Sequence, residues 1–287
     1  MKSILSILCI TAAFSAAGQS NEGDFHLNQE YKINPTGTIK LNSSDGKVYI
    51  TGSKRDNVHV KIDREVVTKG FTFGHEEFSV DVTENNGDIE IRERSNHVSV
   101  AMIGYRSEKY VIRIEAPEGM SLLVKGDDGD YWINNIDGSI SLDLGDGDAE
   151  LTQCSGNKFD FRIDDGDISM DEGSGDLAMD ADDADVHIRN ATFTTVNANI
   201  DDGDFVIETS LSDKGTYFID AQDGLVSLAI TKGGGKFDVR HDDARVITEG
   251  DFNTVEDTEN RTRLTLATGE ANVDIRADDA RVRLMRK

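Results

Sequence analysis

The chain has little cysteine, proline or tryptophan: two, two and one among 287 residues. Cys9 lies in an N-terminal segment that we expect to be removed. The mature chain would then keep only Cys154 and could form no internal disulfide. A hydrophobic core must supply the stability, and this length is ample for one. With 27 glycines and no apolar periodicity of helical length, the sequence favours strands and turns.

Basic residues are also scarce, with 30 lysines and arginines against 55 aspartates and glutamates and a formal net charge of -25. Nucleic acid needs a basic surface, so that class of partner is excluded. The net charge likewise disfavours docking on anionic lipid. A solvated, aggregation-resistant surface is the simplest reason for the acidity, and cation binding is the sharper alternative.

Residues 1–18 predict a signal peptide. Lys2 precedes an apolar run from Ile4 to about Phe14, and small residues follow, with cleavage expected after Ala17 or Gly18. The run is too short for a membrane span of roughly 20 residues. We therefore expect an exported protein, periplasmic, cell-surface or secreted, with no membrane insertion after signal removal.

An aspartate-rich turn recurs through the second half of the chain at spacings of 18 to 21 residues. The nine copies begin at Asp127, Gly145, Asp164, Asp182, Asp201, Gln222, Asp242, Asn260 and Asp278. A weaker set of segments lies between them, and apolar residues alternate with polar ones, as in Phe159, Phe161 and Ile163. Alternation of period two indicates strands with one buried face.

This regularity predicts an all-β fold, a parallel β-solenoid (β-helix) with about two short strands in each coil of 18–21 residues. A β-sandwich or barrel is the alternative, because evenly spaced strands also suit those folds. We divide the chain into the signal peptide at 1–18, an irregular N-terminal β region at 19–118 and regular solenoid repeats at 119–287. Within the irregular region, residues 66–78 and 95–108 break the period and predict longer loops or irregular strands.

Stacked coils about 4.8 Å apart would align equivalent turn positions in columns. The second position is aspartate in eight of nine copies, with Arg261 as the exception: Asp128, Asp146, Asp165, Asp183, Asp202, Asp223, Asp243 and Asp279. The third position is always small, so we expect size to matter there more than a positive φ. The fourth passes from five aspartates, beginning at Asp130, through Leu225 to three arginines. This predicts an acidic end and a mixed-charge end along one edge.

Carboxylates at that spacing repel by roughly 1 kcal/mol per pair in water. The repulsion could be offset by hydrogen bonds from the N–H groups of each turn, as in Asx turns, with salt screening the rest. It could also be offset by calcium bridging adjacent coils, since two metal–oxygen distances of roughly 2.4 Å span the stacking distance. The eight aspartates are therefore a candidate calcium column, and calcium is the one cofactor that the sequence suggests.

The candidates for catalysis are few. His187 should point outward from a strand, and His241 beside Asp242 has no nucleophile motif near it, so we predict no enzyme. Trp132 is the one aromatic predicted to be exposed and is a candidate binding residue, while Cys154 reads as an incidental thiol in a turn. The phenylalanines are predicted to form a core ladder: Phe159, Phe161, Phe205 and Phe237.

The chain resembles the bacterial envelope proteins of repeated β-strands that are called adhesin-like and form a domain family of unknown function. Residues 37–41, 45–52 and 111–119 carry the resemblance, together with the serial Gly-Asp turns after them. The resemblance implies a solenoid without known catalysis. The leading hypothesis is a non-enzymatic adhesin-like protein whose acidic surface binds a partner protein or glycan. The alternatives are a calcium-binding structural solenoid and a carbohydrate-active β-helix enzyme. The sequence leaves the oligomeric state open.

Overall fold

The structure, a computed structural model, describes residues 23–242, 245–266 and 269–287, and it describes no side chains at 72–76 and 96–102. These residues form strands and turns, which confirms the all-β prediction. The predicted signal peptide and Asp243 of the candidate calcium column lie outside the described residues. Among the described residues, no helix has the length and apolar character needed to cross a membrane.

Seventeen strands are assigned in the described residues. They are β1 Phe25–Lys32, β2 Thr38–Ser53, β3 Asn57–Asn85, β4 Asp88–Pro117, β5 Ser121–Asn134, β6 Ile140–Leu144, β7 Ala149–Thr152, β8 Lys158–Asp202, β9 Asp204–Thr209, β10 Thr216–Ala221, β11 Leu225–Ile230, β12 Gly235–His241, β13 Val246–Glu249, β14 Phe252–Thr258, β15 Arg261–Leu266, β16 Ala271–Ala277 and β17 Arg281–Arg286. Most show the alternation that the sequence predicts, with every second side chain buried.

The central strands pair in parallel with strands one repeat away. Leu122 of β5 pairs with Ile140 of β6, and Ile140 pairs with Phe159 of β8. Further along, β9 pairs in parallel with β8 and with β11. An antiparallel meander would instead pair each strand with the next one in the chain, so the alternative of an up-and-down barrel does not describe this part of the molecule.

The stack does not follow chain order at either end. β2 lies between β4 and β5, paired in parallel with both. At the other end, β16 lies between β10 and β12, and β17 lies between β11 and β13. The last segment of the chain is therefore inserted between two earlier ones.

One of the nine predicted repeats is wrong. The copy that begins at Asn260 forms β15, which pairs antiparallel with β12 and with β14. Arg261 and Arg263 consequently leave the turn columns and face other partners. Arg261 instead donates hydrogen bonds from Nε and Nη2 to the two carboxylate oxygens of Asp238 on β12.

The core is a continuous apolar interior along the stack. The four predicted core phenylalanines are buried, which confirms the ladder, and Phe159 packs edge-on against Phe161 and Phe193 at centroid distances of 5.9 and 6.0 Å. Residues of β2 and β4 share this interior with the later strands. β2 also pairs with β5 from Thr38 to Thr51. The proposed boundary between residues 118 and 119 stays a prediction.

The middle of the β3–β4 hairpin leaves the stack. β4 pairs with β2 as far as Arg92 and again from Val111 onward. The eighteen residues 93–110 of β4 between these two paired parts correspond to only four residues of β2, 43–46. Throughout this excursion β3 and β4 remain paired antiparallel, with one register shift between Phe73 and His75. We call residues 65–80 and 93–109 the arm. The sequence left loops or irregular strands open here, and the structure shows a paired ribbon.

Candidate functional site: the acidic edge

Aspartates at the second turn position line one edge of the stack, and all of those described are exposed. We call this set the acidic edge: Asp128, Asp146, Asp165, Asp183, Asp202, Asp223 and Asp279. The strand registers place Asp146 beside Asp128, Asp223 beside Asp202, and Asp279 beside Asp223. Asp45 of β2 pairs with Asp128 and extends the row. Sequence alignment of the second half missed Asp45, although the segment SDGKVYI carries the same motif.

Within the described ranges, the edge carboxylates have no salt-bridge partner and no hydrogen-bond donor. In the part of the chain that the structure describes, no lysine, arginine or histidine forms a salt bridge with them. None accepts a hydrogen bond either, so the Asx-type bonds expected at this position are not observed. Carboxylates on the strand faces differ, because Asp143 binds Lys125 at 2.9 Å and Asp220 lies 3.6 Å from Arg276. The edge is therefore locally uncompensated.

The hydrogen bonds expected of the edge occur instead at the fourth turn position. Asp148 Oδ1 accepts the backbone N–H of Asp167 at 3.0 Å, and Asp185 Oδ1 accepts that of Asp204 at 2.8 Å. Both bonds join successive repeats rather than residues of one turn. The fourth column thus helps to hold the stack together, whereas the second column does not.

The order of charges along the fourth column differs from the prediction. Lys47 of β2 pairs with Asp130, and the aspartates follow as far as Asp204. Leu225 then pairs with Arg281. Arg245 and Arg281 stay at the arginine end, Arg263 leaves the column with β15, and the opposite end begins with Lys47. The acidic stretch therefore lies in the middle of this column.

Backbone conformation contributes to the small-residue column more than expected. Gly166, Gly203 and Gly224 all have φ between +92° and +127°. A Cβ on Gly203 would also lie 2.3 Å from the carbonyl oxygen of Ala184 in the preceding repeat. Both φ and size therefore restrict these positions, and the expectation that size dominates is wrong for the three glycines.

The described aspartates of the candidate calcium column do not form a metal coordination site. Asp183 and Asp202, with Asp167 and Asp185 of the fourth column, line a shallow groove of about 330 Å³. Yet among the described residues no three aspartate, glutamate, histidine or cysteine side chains come together as metal ligands. Calcium prefers six to eight oxygen ligands. Calcium binding by these residues stays a prediction.

A polar cluster closes the N-terminal end of the edge. Arg64 donates from Nε and Nη2 to the two carboxylate oxygens of Glu108 at 2.5 and 3.0 Å, and its guanidinium lies 4.1 Å from the ring centre of Phe78. Loss of water contacts, then the negative charges of Asp128 and Glu108, raise the pKa of Asp45 beside this cluster. No sequence pattern brought these residues together, because they lie on three separate strands.

The sequence matches the protein family described as Toastrack DUF4097 over residues 36–284, most of its length. The chain belongs to the Toastrack family. This confirms the resemblance to adhesin-like proteins of unknown function. No curated protein matches the chain.

Two solved structures are similar to this Toastrack chain. One is described as a "putative cell adhesion protein" from Clostridium sporogenes, with 11% identity, a TM-score of 0.30, and coverage of 92% of this chain and 100% of the other. The second is described as a "putative adhesin" from Bacteroides fragilis, with 12% identity, a TM-score of 0.37, and coverage of 91% and 97%.

The predicted binding aromatic of the Toastrack chain is half-buried. Trp132 points away from the core, but its ring stacks on Tyr49 at 4.8 Å with an interplanar angle of 12°. Lys47 Nζ lies 5.6 Å from the Trp132 ring centre, and the Arg113 guanidinium lies 5.4 Å from that of Tyr49. The two rings form a supported platform, and part of the Trp132 surface is already covered.

The remaining residues considered for catalysis lie apart from one another in the described structure. His187 is exposed, as predicted, and lies on a strand face. His241 Nε2 lies 3.1 Å from Thr262 Oγ1, and its Nδ1 is buried without a partner in the described structure. Cys154 is buried in the turn after β7, and burial raises the pKa of its thiol. In the part of the chain that the structure describes, no nucleophile, base and oxyanion donors come together around these residues.

Proposed function

We propose that this protein is a non-enzymatic, adhesin-like protein of the cell envelope or exterior, and that the acidic edge of a parallel β-solenoid binds a basic partner protein or an amine-bearing glycan. The observation that carries the proposal is the edge itself. Its seven described carboxylates are exposed and have no salt-bridge or hydrogen-bond partner. They differ in this from strand-face carboxylates such as Asp143 and Asp220, which are paired with Lys125 and Arg276.

Such an edge has a preferred kind of partner. Neighbouring carboxylates about 4.8 Å apart create a negative potential that bulk salt screens over about 8 Å at physiological ionic strength. A cationic partner would relieve this repulsion at contact, and the potential would also speed its approach. The regular spacing favours an extended ligand that carries several cationic groups.

The parallel pairing of strands one repeat apart supports the solenoid. In such a stack only neighbouring coils touch, and equivalent side chains are repeated along a surface. That geometry suits multivalent binding, in which several weak contacts act together. The signal-peptide pattern at residues 1–18 supports export.

The binding test compares two variants of equal charge on a panel of basic peptides and chitosan oligomers. The edge variant replaces Asp146, Asp165, Asp183 and Asp202 by asparagine. The face variant replaces four carboxylates that lie within strands rather than in turns: Asp143, Asp160, Asp180 and Asp220. We expect the edge variant to lose at least about tenfold in affinity and the face variant to remain within about threefold. Equal losses would mean that only net charge matters, and no binding by the wild type would contradict the proposal.

A calcium-binding structural role is the second candidate. The isolated carboxylates and the groove between Asp183 and Asp202 favour it, because oxygen ligands of this kind suit calcium. Under this alternative the metal would bridge coils and stabilise the stack. If the edge binds a partner, removing its charge should raise the stability of the free protein, because repulsion is relieved. If the edge binds calcium, the same change should lower the stability in the presence of calcium.

A further inference from the structure

A cavity opens where the arm leaves the stack. Asp45 of β2 pairs with Asp128 of β5 on one side, but the pairing of β2 with β4 is interrupted between Asn42 and Lys47. On its other side, Asp45 therefore has no β4 partner in the described ladder, and a cavity of about 240 Å³ lies there. Side chains from three strands line it, among them Asp45, Arg64, Phe78, Glu93, Glu108 and Tyr110.

The walls of this cavity are fixed by contacts with one another. Arg64 is 2% exposed and binds both carboxylate oxygens of Glu108, and its guanidinium lies over the ring of Phe78. Phe78 packs edge-on against Tyr110 at 5.3 Å. On the β2 side, a Cβ on Gly46 would lie only 2.7 Å from Cδ1 of Tyr110, so this turn rests directly on the ring. The cavity is therefore formed before any ligand arrives.

The Tyr110 hydroxyl has no partner in this cavity. Tyr110 is 6% exposed, and its hydroxyl oxygen is buried without a hydrogen bond in the described structure. Buried polar groups nearly always have a partner, so this group indicates a missing one. Loss of water contacts, then the negative charge of Glu93, raise the pKa of Tyr110, so the hydroxyl keeps its proton. With that proton available to Glu93, the oxygen can still accept a hydrogen bond from a ligand.

The cavity also has an excess of negative charge. Three carboxylates and two guanidinium groups line it, and Arg64 and Arg106 both bind Glu108. Within the described residues, neither Asp45 nor Glu93 forms a salt bridge. One negative charge is left over, and the aspartates of the neighbouring β5 turn add to it. A bound cation would complete the arrangement.

We propose that this cavity binds the ammonium group of an aliphatic primary amine. Asp45 and Glu93 supply the negative charge, and the oxygen of Tyr110 accepts one of the three N–H groups. A metal ion fits less well, because among the described residues no three aspartate, glutamate, histidine or cysteine side chains come together as metal ligands. An anion would meet the excess of carboxylates.

This inference deepens the proposed function and rests on it for the kind of partner. The acidic edge attracts an extended cationic ligand, and the cavity takes a single amine at the end of that edge, beside Asp128. The same ammonium group can belong to a lysine side chain of a partner protein or to a free alkylamine. The two sources are chemically equivalent at the cavity, so the experiment includes both.

The test is a titration of isotope-labelled residues 19–287, which include every described strand, followed by two-dimensional NMR of the backbone amides in phosphate buffer. The probes are pentylamine, Nα-acetyl-lysine amide and, as the uncharged control, 1-pentanol. Each amine carries one positive charge, so it cannot bridge several edge carboxylates. We expect both amines to shift the amide signals of residues 44–46, 93 and 110, and pentanol to leave them unchanged. The tighter-binding amine identifies the source.

Two variants test whether the groups of the cavity hold the amine. Asp45→Asn should weaken amine binding at least about tenfold, and Tyr110→Phe about fivefold, because each removes one contact to the ammonium. Tyr110→Phe should stay folded, since it removes a hydroxyl that has no hydrogen bond in the described structure. The control is Asp160→Asn, which removes the same charge from a strand and should bind within about twofold of the wild type.

Three results would overturn the inference: no shift at the cavity with either amine, an unchanged affinity in Tyr110→Phe, or an equal loss in Asp160→Asn. Its failure can be told apart from failure of the proposed function. The edge variant keeps Asp45, Glu93 and Tyr110, so it should still bind pentylamine while losing chitosan. If the wild type binds chitosan through the edge but pentylamine causes no shift at the cavity, the proposed function stands and the cavity assignment is wrong.

Discussion

The turn residues of the edge divide their roles by position. The second position carries the isolated carboxylates, the third keeps the coils close, and the fourth bonds one coil to the next through Asp148 and Asp185. Single substitutions at these positions should therefore differ in sign. Aspartate removal at the second position relieves repulsion, whereas the same change at the fourth removes a hydrogen bond worth about 1 kcal/mol.

Gly203→Ala should destabilise the protein by about 1–3 kcal/mol, because it places a side chain at φ +127° and a Cβ 2.3 Å from the carbonyl oxygen of Ala184. Urea denaturation measures the loss. Gly119→Ala is the control, since its nearest contact would be an ordinary 3.4 Å and its φ is not in the left-handed region. Equal stability of the two variants would show that the coils are not in close contact at Gly203.

Asp45→Asn should stabilise the protein at neutral pH. Loss of water contacts and the neighbouring Asp128 raise the pKa of Asp45, so the carboxyl favours folding when protonated and this contribution is lost as pH rises through the folded pKa. The difference between wild type and variant should vanish below the ordinary carboxyl pKa of 3.8. Urea denaturation from pH 3 to pH 8 follows it, in steps of about one unit.

Asp238→Asn provides the control of opposite sign. Hydrogen bonds from Arg261 lower the pKa of Asp238, so its contribution to stability is present above pH 3.8 and is lost as pH falls through the lower folded pKa. This variant should be less stable than wild type at neutral pH. If both variants shift stability in the same direction, the two environments have been assigned wrongly.

At the scale of elements, the insertion of the last strands is the least expected feature. β16 pairs with both β10 and β12, and β17 pairs with both β11 and β13. Nothing in the local sequence distinguishes this arrangement from stacking in chain order, since the copies at Asp242 and Asp278 begin with the same four residues, DDAR. The order of the strands therefore depends on pairing between segments that lie far apart in the sequence.

Truncation after Leu266 tests the inserted order. Without β16 and β17, β13 loses its parallel partner β17, whereas β12 and β14 keep their pairing with β15, so hydrogen exchange should show protection lost from β13 and retained in β5 to β9. Stacking in chain order would place β13 against β11 directly. Retained protection in β13 after truncation would therefore contradict the inserted order.

Strand alternation was predictable because it depends on neighbours in sequence. Phe159 and Phe205 were correctly placed in the core from the period of two alone. The antiparallel pairing of β15 was not predictable, because its RTRLTL segment alternates like a solenoid strand. The break in the period at the arm was predicted, but the pairing of its two strands was not, for a related reason. Its ladder joins Phe71 to Ile103, which lie 32 residues apart and outside the repeat.

At the scale of the whole molecule, charge is distributed unevenly over the surface. The acidic edge is uncompensated in the described residues, whereas several strand-face carboxylates are paired with lysine or arginine. Composition showed the total of -25 but not this segregation, which depends on the register of the coils. The position of the edge could be predicted from the repeat. Its lack of partners could not, because Asx-type bonds were equally compatible with the motif.

Thermal melts of the wild type and the edge variant, in EDTA and in calcium at constant ionic strength, test whether the edge serves binding rather than the fold. Each pair of adjacent carboxylates repels by about 1 kcal/mol in water. We predict that the edge variant melts several degrees above the wild type in low-salt EDTA, and that calcium moves neither midpoint more than magnesium does. A calcium-specific rise of the wild type that the edge variant lacks would contradict the account and make the aspartates a structural metal column.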